Sequence, residues 1–585
     1  MKQRTIVFNK ADEMDNVALQ LLNFIEETPH KKVLFQAVEP SGDIDYIKTG
    51  LEYAHIALPD ITIIGMTSHC AMTRDTHAAK FPVVSVLLFE ENDFSTFSYD
   101  CKLMTPKEVG IAFCQELQSI KDIKGILMMG SDITLTPQDF INEVSAKYPG
   151  IPLFGALAGT STLRADQSLV FHNGDVYDRG MVIVVFHGPT LEITTHYNLG
   201  WKPLGNTLTV TESYPDGRVT KINNKPAVTV YNKYLGVPIN DYFFENTAAF
   251  PFIFKHNNKT VARVALKHTV TSLQFGIEIP EGTKFSLAYA KANYLLDESL
   301  TCANKMNEFQ PDAILIYACM SRRTLMGDEL AEREFSYFKK VNKNVTWSCG
   351  YGELLYDDKG DGLLNGSLVA VGIREGTKDS TKELIPIVDP ELQAEPEVID
   401  LTDRLISFLE STTEDLNDNI NLLANMASHD QLTKIYNRAA LDYHFDEMIH
   451  NLSPLENIAM IMFDIDHFKR VNDTYGHDVG DKVIVGVVNT IKERLPDNAF
   501  FARWGGEEFM CILPNCDKET AIDLAERVRI RVSVTDFTPV DQVTISIGVC
   551  LIGKDADKIV SFAKVDKALY EAKETGRNKV VFSEQ

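Results

Sequence analysis

The sequence contains no apolar run long enough to cross a membrane. Its longest apolar stretches, such as residues 83–89, have the length of a strand, whereas a transmembrane helix needs roughly 18 or more apolar residues. The residues after Met1 lead into an apolar stretch too short for the core of a signal peptide. We therefore expect a soluble, cytoplasmic protein without a membrane partner, and a stimulus that is itself intracellular.

Positive charge is also scarce in this chain. The 585 residues include 57 lysines and arginines against 82 aspartates and glutamates, which gives a formal net charge of −25. Such an acidic surface repels the phosphate backbone of DNA and RNA. We therefore expect no nucleic-acid partner.

Cysteine motifs are missing too. The nine cysteines form no Cys-x-x-Cys pair and no spacing typical of a zinc site. Most lie in apolar, strand-like surroundings, so we expect reduced thiols rather than a disulfide framework. The chain length predicts two to four domains, and an apolar content of 44% is sufficient for well-buried cores.

One pattern occurs three times between residues 30 and 375: an apolar strand, a loop, a helix, a second strand and later a third apolar strand. Short apolar runs that flank a helix indicate βαβ units, so this region is predicted to be α/β. The first strands are 33–38, 126–129 and 313–317, the second are 61–64, 151–154 and 345–348, and the third are 83–89, 181–186 and 368–373. Loops that follow such strands share one edge of a sheet, where ligands usually bind.

Three charged residues follow strands at this predicted edge. Arg322 and Arg323 carry guanidinium groups that can hold a carboxylate, and Glu353 can hold an ammonium group. They are our candidates for binding a small ligand. The alternative is that one of the arginines pairs with Glu353 and only braces the loops.

Short glycine-containing stretches give this region a family resemblance. They are Gly-Ala-Leu-Ala-Gly at 155–159, Gly-Trp-Lys-Pro-Leu-Gly at 200–205, Ala-Cys-Met-Ser-Arg-Arg at 318–323 and Gly-Tyr-Gly-Glu at 350–353. The region resembles a FIST sensory module, with an N-terminal part over 1–225 and a C-terminal part over 226–375. The resemblance implies that a small molecule is sensed here, and amino acids have been proposed as ligands for the family.

A linker and a helix follow the sensor-like region. Residues 376–396 are polar and contain three prolines, and residues 399–427 have a helical pattern, so 376–427 is predicted to be a linker with a signalling helix. Leu409, Leu416 and Leu423 recur every seven residues, which is typical of a coiled-coil seam. The partner positions of this seam hold Leu405, Thr412, Asn419 and Met426. The alternative is a helix that lies on its own domain.

Two acidic motifs lie in the last third of the chain. Residues 503–509 read Arg-Trp-Gly-Gly-Glu-Glu-Phe with apolar flanks, which predicts a hairpin with carboxylates at its tip. Asp464 directly follows the buried-strand run 459–463. A carboxylate at the end of a buried strand is costly unless it is paired or binds a metal ion. Hard oxygen donors from Asp464, the Ile465 carbonyl and Glu507 would suit Mg²⁺.

Five motifs in order make residues 428–585 similar to a GGDEF domain, the catalytic domain of diguanylate cyclases. They occupy 430–438, 464–481, 505–509, 544–549 and 566–578. The resemblance implies a palm-like α+β fold, in which helices cover a central antiparallel sheet. It also implies a bacterial homodimeric enzyme that joins two GTP molecules into cyclic di-GMP and releases two pyrophosphates. Two Mg²⁺ or Mn²⁺ ions per active site would act as cofactors.

The same resemblance implies a role for each matching residue. The metal ligands would be Asp464, the Ile465 carbonyl, Glu507 and Glu508, and the catalytic side chains would be Asp464, Lys469, Glu507 and Glu508. The GTP-binding residues would be His467, Phe468, Asn472, Asp481, Gly505, Gly506, Lys573 and Arg577. Within this set, Asn472 and Asp481 would read guanine, and Lys573 and Arg577 would bind phosphates from one helix face, four residues apart.

One departure and one alternative remain. Many family members bind product at an Arg-x-x-Asp motif, but the corresponding positions here hold Pro496 and Ala499, and Arg494 and Asp497 stand two residues out of register. We therefore expect no tight product inhibition through that site.

The alternative function is a catalytically inactive protein that binds GTP or cyclic di-GMP as a signalling receptor.

Overall fold

The computed structural model describes all residues except a set of short segments. These are 8–13, 41, 74–75, 80–81, 132–134, 161–166, 241, 257–258, 358–359, 361, 380, 382–383, 394–400, 454–455, 555 and 585, together with the side chains of 7, 14–15, 73, 76–79, 245, 401–403, 421 and 450–451. The chain forms two compact units, Met1–Glu410 and Ser411–Gln585. It is a mixed α/β, multidomain protein, as the sequence predicts.

The first unit is built from three repeats of one strand and helix order. The first repeat contains β1 (Lys2–Val7), α1 (Met14–Glu27), β2 (Lys32–Glu39), α2 (Ile44–Ala57), β3 (Thr62–Thr67), β4 (Ala71–Thr73), β5 (Thr76–Ala79) and β6 (Val83–Phe89). The second contains β7 (Asp93–Asp100), α3 (Pro106–Glu116), β8 (Ile123–Gly130), α4 (Gln138–Lys147), β9 (Leu153–Leu157), β10 (Val170–His172), β11 (Asp175–Tyr177) and β12 (Gly180–His187).

The third repeat is interrupted by an inserted sheet. It begins with β13 (Leu191–Asn198) and, after the insertion, continues with α7 (Ala292–Phe309), β22 (Ala313–Cys319), α8 (Met320–Val341), β23 (Val345–Gly350), β24 (Gly352–Tyr356), β25 (Leu363–Leu364) and β26 (Leu368–Glu375). The insertion contains β14 (Lys202–Ser213), β15 (Arg218–Ile222), β16 (Lys225–Pro226), α5 (Thr229–Leu235), α6 (Phe243–Thr247), β17 (Phe252–His256), β18 (Lys259–Arg263), β19 (Lys267–His268), β20 (Leu273–Gln274) and β21 (Lys284–Tyr289). The boundary predicted between residues 225 and 226 therefore lies inside β16.

Each repeat contains the predicted βαβ unit. The pairs β2–β3, β8–β9 and β22–β23 are parallel, and the third strand of each repeat joins its pair in the antiparallel direction. The strands β6, β12 and β22 are buried along almost their whole length. Continuous apolar strands suit sheets that are covered on both faces, which is why these runs lack the alternation of a half-exposed strand.

The three βαβ units lie in three separate six-stranded sheets, so the expectation that the loops after their strands share one sheet edge is wrong. Each sheet is completed by a hairpin from another repeat. The hairpin β10–β11 extends the sheet of the first repeat, β24–β25 extends that of the second, and β4–β5 extends that of the third. This cyclic exchange of hairpins relates the three repeats by an approximate threefold arrangement.

The loops after β3, β9 and β23 nevertheless meet at the centre of this arrangement. Three equivalent backbone hydrogen bonds join them in a ring, from Gly159 N–H to the Thr67 carbonyl (3.0 Å), from His69 N–H to the Cys349 carbonyl (2.9 Å) and from Tyr351 N–H to the Leu157 carbonyl (3.2 Å). Backbone groups that are buried between sheets must find such partners. The ring therefore holds one loop of every repeat in place.

The second unit contains the predicted antiparallel sheet covered by helices. Its elements are β27 (Tyr436–Asn437), α11 (Arg438–Asn451), β28 (Ile458–Ile465), α12 (Phe468–Tyr475), α13 (His477–Lys492), β29 (Phe500–Gly505), β30 (Glu508–Pro514), α14 (Lys518–Ser533), β31 (Ile545–Ile552), α15 (Lys558–Glu574) and β32 (Val580–Phe582). The fully buried strand β28 lies in the middle and pairs antiparallel with β30 and β31. Its C-terminal end carries the acidic motif.

A short helix α9 (Pro390–Gln393) and a long helix α10 (Leu401–Ser428) follow the third repeat. The 28 residues of α10 cover most of the predicted signalling helix, and residues 399–400 lie outside the described residues. Predicted seam residues are exposed along it, including Leu405 (54%), Leu416 (50%), Leu423 (64%) and Met426 (53%). In the described part of the chain, no helix has both the length and the apolar character of a membrane span.

Candidate active site

The hairpin β29–β30 turns at the predicted acidic tip. Gly506 has φ +49°, a conformation that glycine adopts without strain. A Cβ atom built on Gly505 or Gly506 would meet no atom within 4 Å, so the space beside both glycines is open. The Arg503 guanidinium donates two hydrogen bonds to the Gly506 carbonyl (2.9 and 2.8 Å) and a third to Asp430 (3.0 Å). Arg503 therefore fixes the shape of the tip.

Two carboxylates and one ammonium group meet beside this tip. Asp464 at the end of β28 is opposite Glu508 in the register of β28 and β30. Lys573 Nζ lies 2.7 Å from Asp464 Oδ2 and 3.8 Å from Glu508 Oε1. Burial raises the pKa of Asp464 to about 6, and the charges of Glu507 and Glu508 add to this, although Lys573 opposes the rise. Burial also raises the pKa of Glu508. The site thus has more negative charge than its lysine neutralises.

This donor set fits a divalent cation that takes its remaining oxygen ligands from a bound substrate and from water. Ile465 N–H donates a hydrogen bond to the Glu507 carbonyl (3.3 Å), which holds the hairpin tip against the end of β28. Among the described residues, no group of three or more histidine, cysteine, aspartate or glutamate side chains is arranged to hold a metal ion. Mg²⁺ commonly takes only one or two protein carboxylates and completes its shell with phosphates and water. Asp464 and Glu507, with the backbone carbonyl of Ile465, meet that requirement.

The predicted guanine-reading residues lie on α12 and α13. Asn472 is half-buried, and its Oδ1 atom is buried without a hydrogen-bond partner among the described residues. A Cβ atom on Gly480 would lie only 1.9 Å from that oxygen, so the packing requires glycine there. Asp481 directly follows Gly480 on α13 and is exposed. A buried acceptor without a donor is unfavourable on its own and suits a ligand that supplies an N–H group.

The predicted pairing of Lys573 and Arg577 on one helix face is wrong. The helix α15 ends at Glu574, and Arg577 lies in the following loop with φ +61°. Lys573 therefore points into the acidic site from the helix, while Arg577 is exposed on the loop. The i, i+4 spacing predicts a shared face only while the helix continues.

Asp466 is a residue whose importance the sequence reasoning missed. It accepts hydrogen bonds from the Thr544 hydroxyl (2.7 Å), the Ser546 hydroxyl (2.6 Å) and the Asn578 backbone N–H (3.0 Å). It is buried and joins the end of β28 to β31 and to the loop that carries Arg577. The Asp-x-Asp spacing at the strand end was the available signal, because a second carboxylate directly beyond a buried strand also needs hydrogen-bond partners.

The remaining predicted nucleotide-binding residues surround the start of α12. His467 has φ +56° and is exposed, Phe468 is buried, and Lys469 is exposed. In the described contacts, no side chain caps this helix start. Uncapped N–H groups at a helix N-terminus suit an anion such as phosphate. Arg494 and Asp497, at the out-of-register product motif, are both exposed.

The sensor candidates do not form the predicted ligand clamp. Arg322 is fully buried in an ion pair with Glu334 (2.6 Å), and it also donates to the carbonyls of Leu199 and Leu295 (both 3.2 Å). Arg323 pairs with Asp328. The alternative pairing of an arginine with Glu353 is therefore wrong as well, because both arginines have other partners.

Glu353 is likewise part of the core. It is fully buried in β24 and accepts hydrogen bonds from the Ser367 hydroxyl (2.8 Å) and backbone N–H (3.2 Å). Burial raises the pKa of Glu353 to about 8, so the side chain is mostly neutral at pH 7. A neutral, buried carboxyl cannot attract an ammonium group. Arg323 is buried too, although it is more exposed than the other two (8%), and its Nη1 atom has no hydrogen-bond partner among the described residues.

The raised pKa of Glu353 makes the stability of the first unit pH-dependent. The unfolded value is near 4.5 and the folded value about 8, so its contribution to stability is complete below 4.5 and is lost as pH rises towards 8. The loss approaches about 1.4 kcal/mol per pH unit within this window. We expect Glu353→Gln, which stays neutral, to lose less thermal stability than the wild type between about pH 5 and 8. The measurement is the melting temperature of each protein as a function of pH, with the exposed substitution Glu329→Gln as the control, which should behave like the wild type. An equal change of melting temperature with pH in Glu353→Gln and the wild type would contradict the prediction.

Family comparisons find three domains in order along the chain. The family described as "FIST N domain" matches residues 41–225, "FIST C domain" matches 227–355, and "Diguanylate cyclase, GGDEF domain" matches 427–579. The matches cover most of the three repeats and most of the second unit. Both predicted family resemblances are therefore confirmed.

Relatives with curated descriptions match about a quarter of the chain. "Probable diguanylate cyclase DgcT" of Escherichia coli K12 is 45% identical over 167 residues, which are 27% of this chain and 36% of that protein. "Diguanylate cyclase DgcM" of the same strain is 35% identical over 161 residues, which are 27% of this chain and 39% of that protein. The chain thus spans less than two fifths of the length of these relatives.

A solved structure matches part of the chain. The coiled coil and GGDEF domain of DgcB from Caulobacter crescentus, in complex with c-di-GMP, is 28% identical. The match covers 31% of this chain and all of that one, with a TM-score of 0.30.

Proposed function

We propose that this chain, which carries FIST N, FIST C and GGDEF domains in that order, is a diguanylate cyclase regulated by a small molecule. The reaction joins two GTP molecules into cyclic di-GMP and releases two pyrophosphates. The observation that carries this proposal is the pair of carboxylates of Asp464 and Glu508 around Lys573, with the charge of Glu507 acting on both, beside an open glycine turn. Diguanylate cyclases among its relatives support the same reaction.

The residues of the site divide the work of binding and positioning. In each half-reaction the 3′-hydroxyl of one GTP attacks the α-phosphate of the other, and pyrophosphate leaves. Mg²⁺ or Mn²⁺, two ions per site, would be held by Asp464, Glu507, Glu508 and the Ile465 carbonyl, and would offset the charge that builds up on the reacting oxygens. The N–H groups at the start of α12 and the side chains of Lys469, Lys573 and Arg577 bind phosphates in this scheme.

The choice of base depends on Asn472 and Asp481. Guanine offers an N1–H and an exocyclic amine, and amide and carboxylate oxygens can accept from both, whereas adenine cannot offer that pattern. The orphaned Oδ1 of Asn472 supports this role. We expect GTP turnover to exceed ATP turnover by orders of magnitude, because a polar site left unpaired rejects the wrong base.

Substitution should weaken this selectivity. We expect Asn472→Ala and Asp481→Ala each to lower the GTP-over-ATP ratio of kcat/KM by about tenfold or more. Asp473→Asn, an exposed neighbour on α12, is the matched control and should leave the ratio unchanged. Equal turnover of ATP and GTP by the wild type would show that these residues do not read guanine.

The helix α10 is the proposed dimer contact, because two GTP-loaded sites must face each other for catalysis. Its exposed leucines at seven-residue intervals suit a parallel coiled coil. The start of the helix is held by the first unit, since Lys291 Nζ donates to the Ser407 hydroxyl (3.1 Å) and the Tyr289 hydroxyl contacts Glu410. A ligand of the FIST domains can then change activity by favouring one pairing of the helices, to the extent of its differential affinity.

Charge placed in the seam should break the dimer. We expect Leu416→Lys combined with Leu423→Lys to shift the protein to monomer in light-scattering chromatography and to lower GTP turnover more than tenfold. Asn417→Lys adds one such charge on the outer side of the helix and should keep both properties. A dimeric, active double variant would mean that another surface makes the dimer.

The experiment that tests the proposed function is GTP turnover by the purified full-length protein with Mg²⁺. Formation of cyclic di-GMP and pyrophosphate is the expected result. Binding of GTP or cyclic di-GMP without turnover would instead identify an inactive receptor. Repeating the assay with a panel of metabolites, after a thermal-shift screen, tests whether a small molecule regulates the activity. We place the protein in the cytoplasm.

A further inference from the structure

Two buried cysteines from different repeats lie side by side in the first unit. Cys70 directly precedes β4 of the first repeat, and Cys349 lies in β23 of the third. Their Sγ atoms are 2.8 Å apart, about 0.8 Å longer than a disulfide bond. The two residues are 279 positions apart in the chain, so only the hairpin exchange brings them together.

The backbone around both cysteines is fixed from several sides. β4 pairs antiparallel with β23, and Cys349 N–H donates to the Cys70 carbonyl (3.3 Å). The Ser68 hydroxyl accepts from Cys349 N–H (2.9 Å) and donates to the Cys349 carbonyl (3.0 Å). Thiols that are held in contact in this way react with each other as in a unimolecular step, without a search.

The two sulfurs differ in their surroundings. The hydrogen bond with Cys349 and the positive charge of Arg323 lower the pKa of Cys70 against the effect of its burial. The hydrogen bond to Cys70 and burial raise the pKa of Cys349. Cys70 is 5% exposed and Cys349 only 1%. Cys70 is therefore the better nucleophile, since the thiolate is the reactive form.

We infer that Cys70 and Cys349 form an oxidation site at which hydrogen peroxide creates a disulfide between the first and third repeats. The Cys70 thiolate attacks one oxygen of peroxide, the O–O bond breaks, and the second oxygen leaves as water after protonation. The resulting sulfenic acid is attacked by the Cys349 sulfur, its S–O bond breaks and a second water leaves. Two thiols and one peroxide thus give one disulfide and two waters.

The disulfide would lock the exchanged hairpin β4–β5 onto the sheet of the third repeat. A crosslink over so many residues restricts the unfolded chain strongly. Oxidation should therefore raise the unfolding temperature of the first unit, and a thiol reductant should reverse the change. The disulfide would thus add a covalent bond between the first and third repeats at a position where their contacts are otherwise non-covalent.

The test is thiol counting and peptide mapping of the full-length protein after brief peroxide treatment. Titratable thiols in denaturant should fall from nine to seven, and one non-reduced peptide pair should join Cys70 to Cys349. Cys302→Ala, which removes an unrelated buried cysteine, should still lose two thiols. Cys70→Ala should lose none, and Cys349→Ala should lose one thiol, as a sulfenic acid at Cys70, and form no crosslink. The peptide mapping needs no variant, so it decides the matter even if a variant folds poorly.

Two outcomes would overturn the inference. One is a wild-type protein that keeps all nine thiols at peroxide concentrations that oxidise its exposed methionines. The other is a loss of thiols that is equally large in Cys70→Ala, or a mapped crosslink between other cysteines.

Discussion

Glu507→Gln is expected to lower the rate of cyclic di-GMP formation by at least a hundredfold. The substitution keeps the size of the side chain and removes one negative charge from the cluster with Asp464 and Glu508. Changes even in the outer shell of a metal site commonly cost 10- to 100-fold, so loss of a direct ligand should cost at least as much. Glu507 lies at a hairpin tip beside open space, so the fold should be unaffected.

The measurement is GTP turnover at saturating Mg²⁺, together with the melting temperature of each protein. Glu519→Gln, on the exposed first turn of α14, makes the same chemical change away from the site and should retain wild-type turnover. Activity of Glu507→Gln within about tenfold of the wild type would remove Glu507 from the set of metal ligands.

Arg322→Ala is expected to destabilise the first unit by about 3–5 kcal/mol, because it leaves Glu334 buried without its partner. The guanidinium also donates to the carbonyls of Leu199 and Leu295 and to the hydroxyl of Ser299, so its removal takes a buried donor from several polar groups at once. Urea unfolding of the full-length protein, followed by a probe of the first unit, measures the change. Arg218→Ala, which breaks an exposed pair with Asp216, should change stability by less than about 1 kcal/mol.

A paired replacement separates this structural role from ligand binding. Arg322→Met with Glu334→Leu removes both charges and should recover much of the lost stability, because no buried charge is then left unpaired. A ligand role predicts the reverse: Arg322→Ala would fold normally and lose only its response to a metabolite. If Arg322→Ala melts at the wild-type temperature, the buried pair does not hold the unit together.

The local elements and the acidic site could largely be predicted from the sequence. The apolar runs and helices of the three βαβ units are short-range patterns, and all three parallel pairs form as expected. In the second unit, the Gly505–Gly506 turn and Asp464 at the end of β28 are brought together because a hairpin and its neighbouring strand leave few alternatives. Only the end of α15 was misjudged, since a spacing of four says nothing about where a helix stops.

The sensor residues could not be predicted in the same way. Arg322, Arg323 and Glu353 follow strands, as ligand-binding residues often do, yet the partners that occupy them are Glu334, Asp328 and Ser367. Burial depends on what packs over a strand end, and here that depends on which sheet each hairpin joins.

By itself, the sequence determined the strands and helices of the three βαβ units, the carboxylates of the acidic site and the seven-residue pattern of α10, because each depends on residues near one another in the chain. Only the tertiary structure decided that three sheets exchange hairpins, that Arg322 and Glu353 are core residues, and that Cys70 meets Cys349. These outcomes depend on contacts between residues far apart in sequence, and local patterns leave such pairings undetermined. The free energy of packing whole repeats against one another selects them.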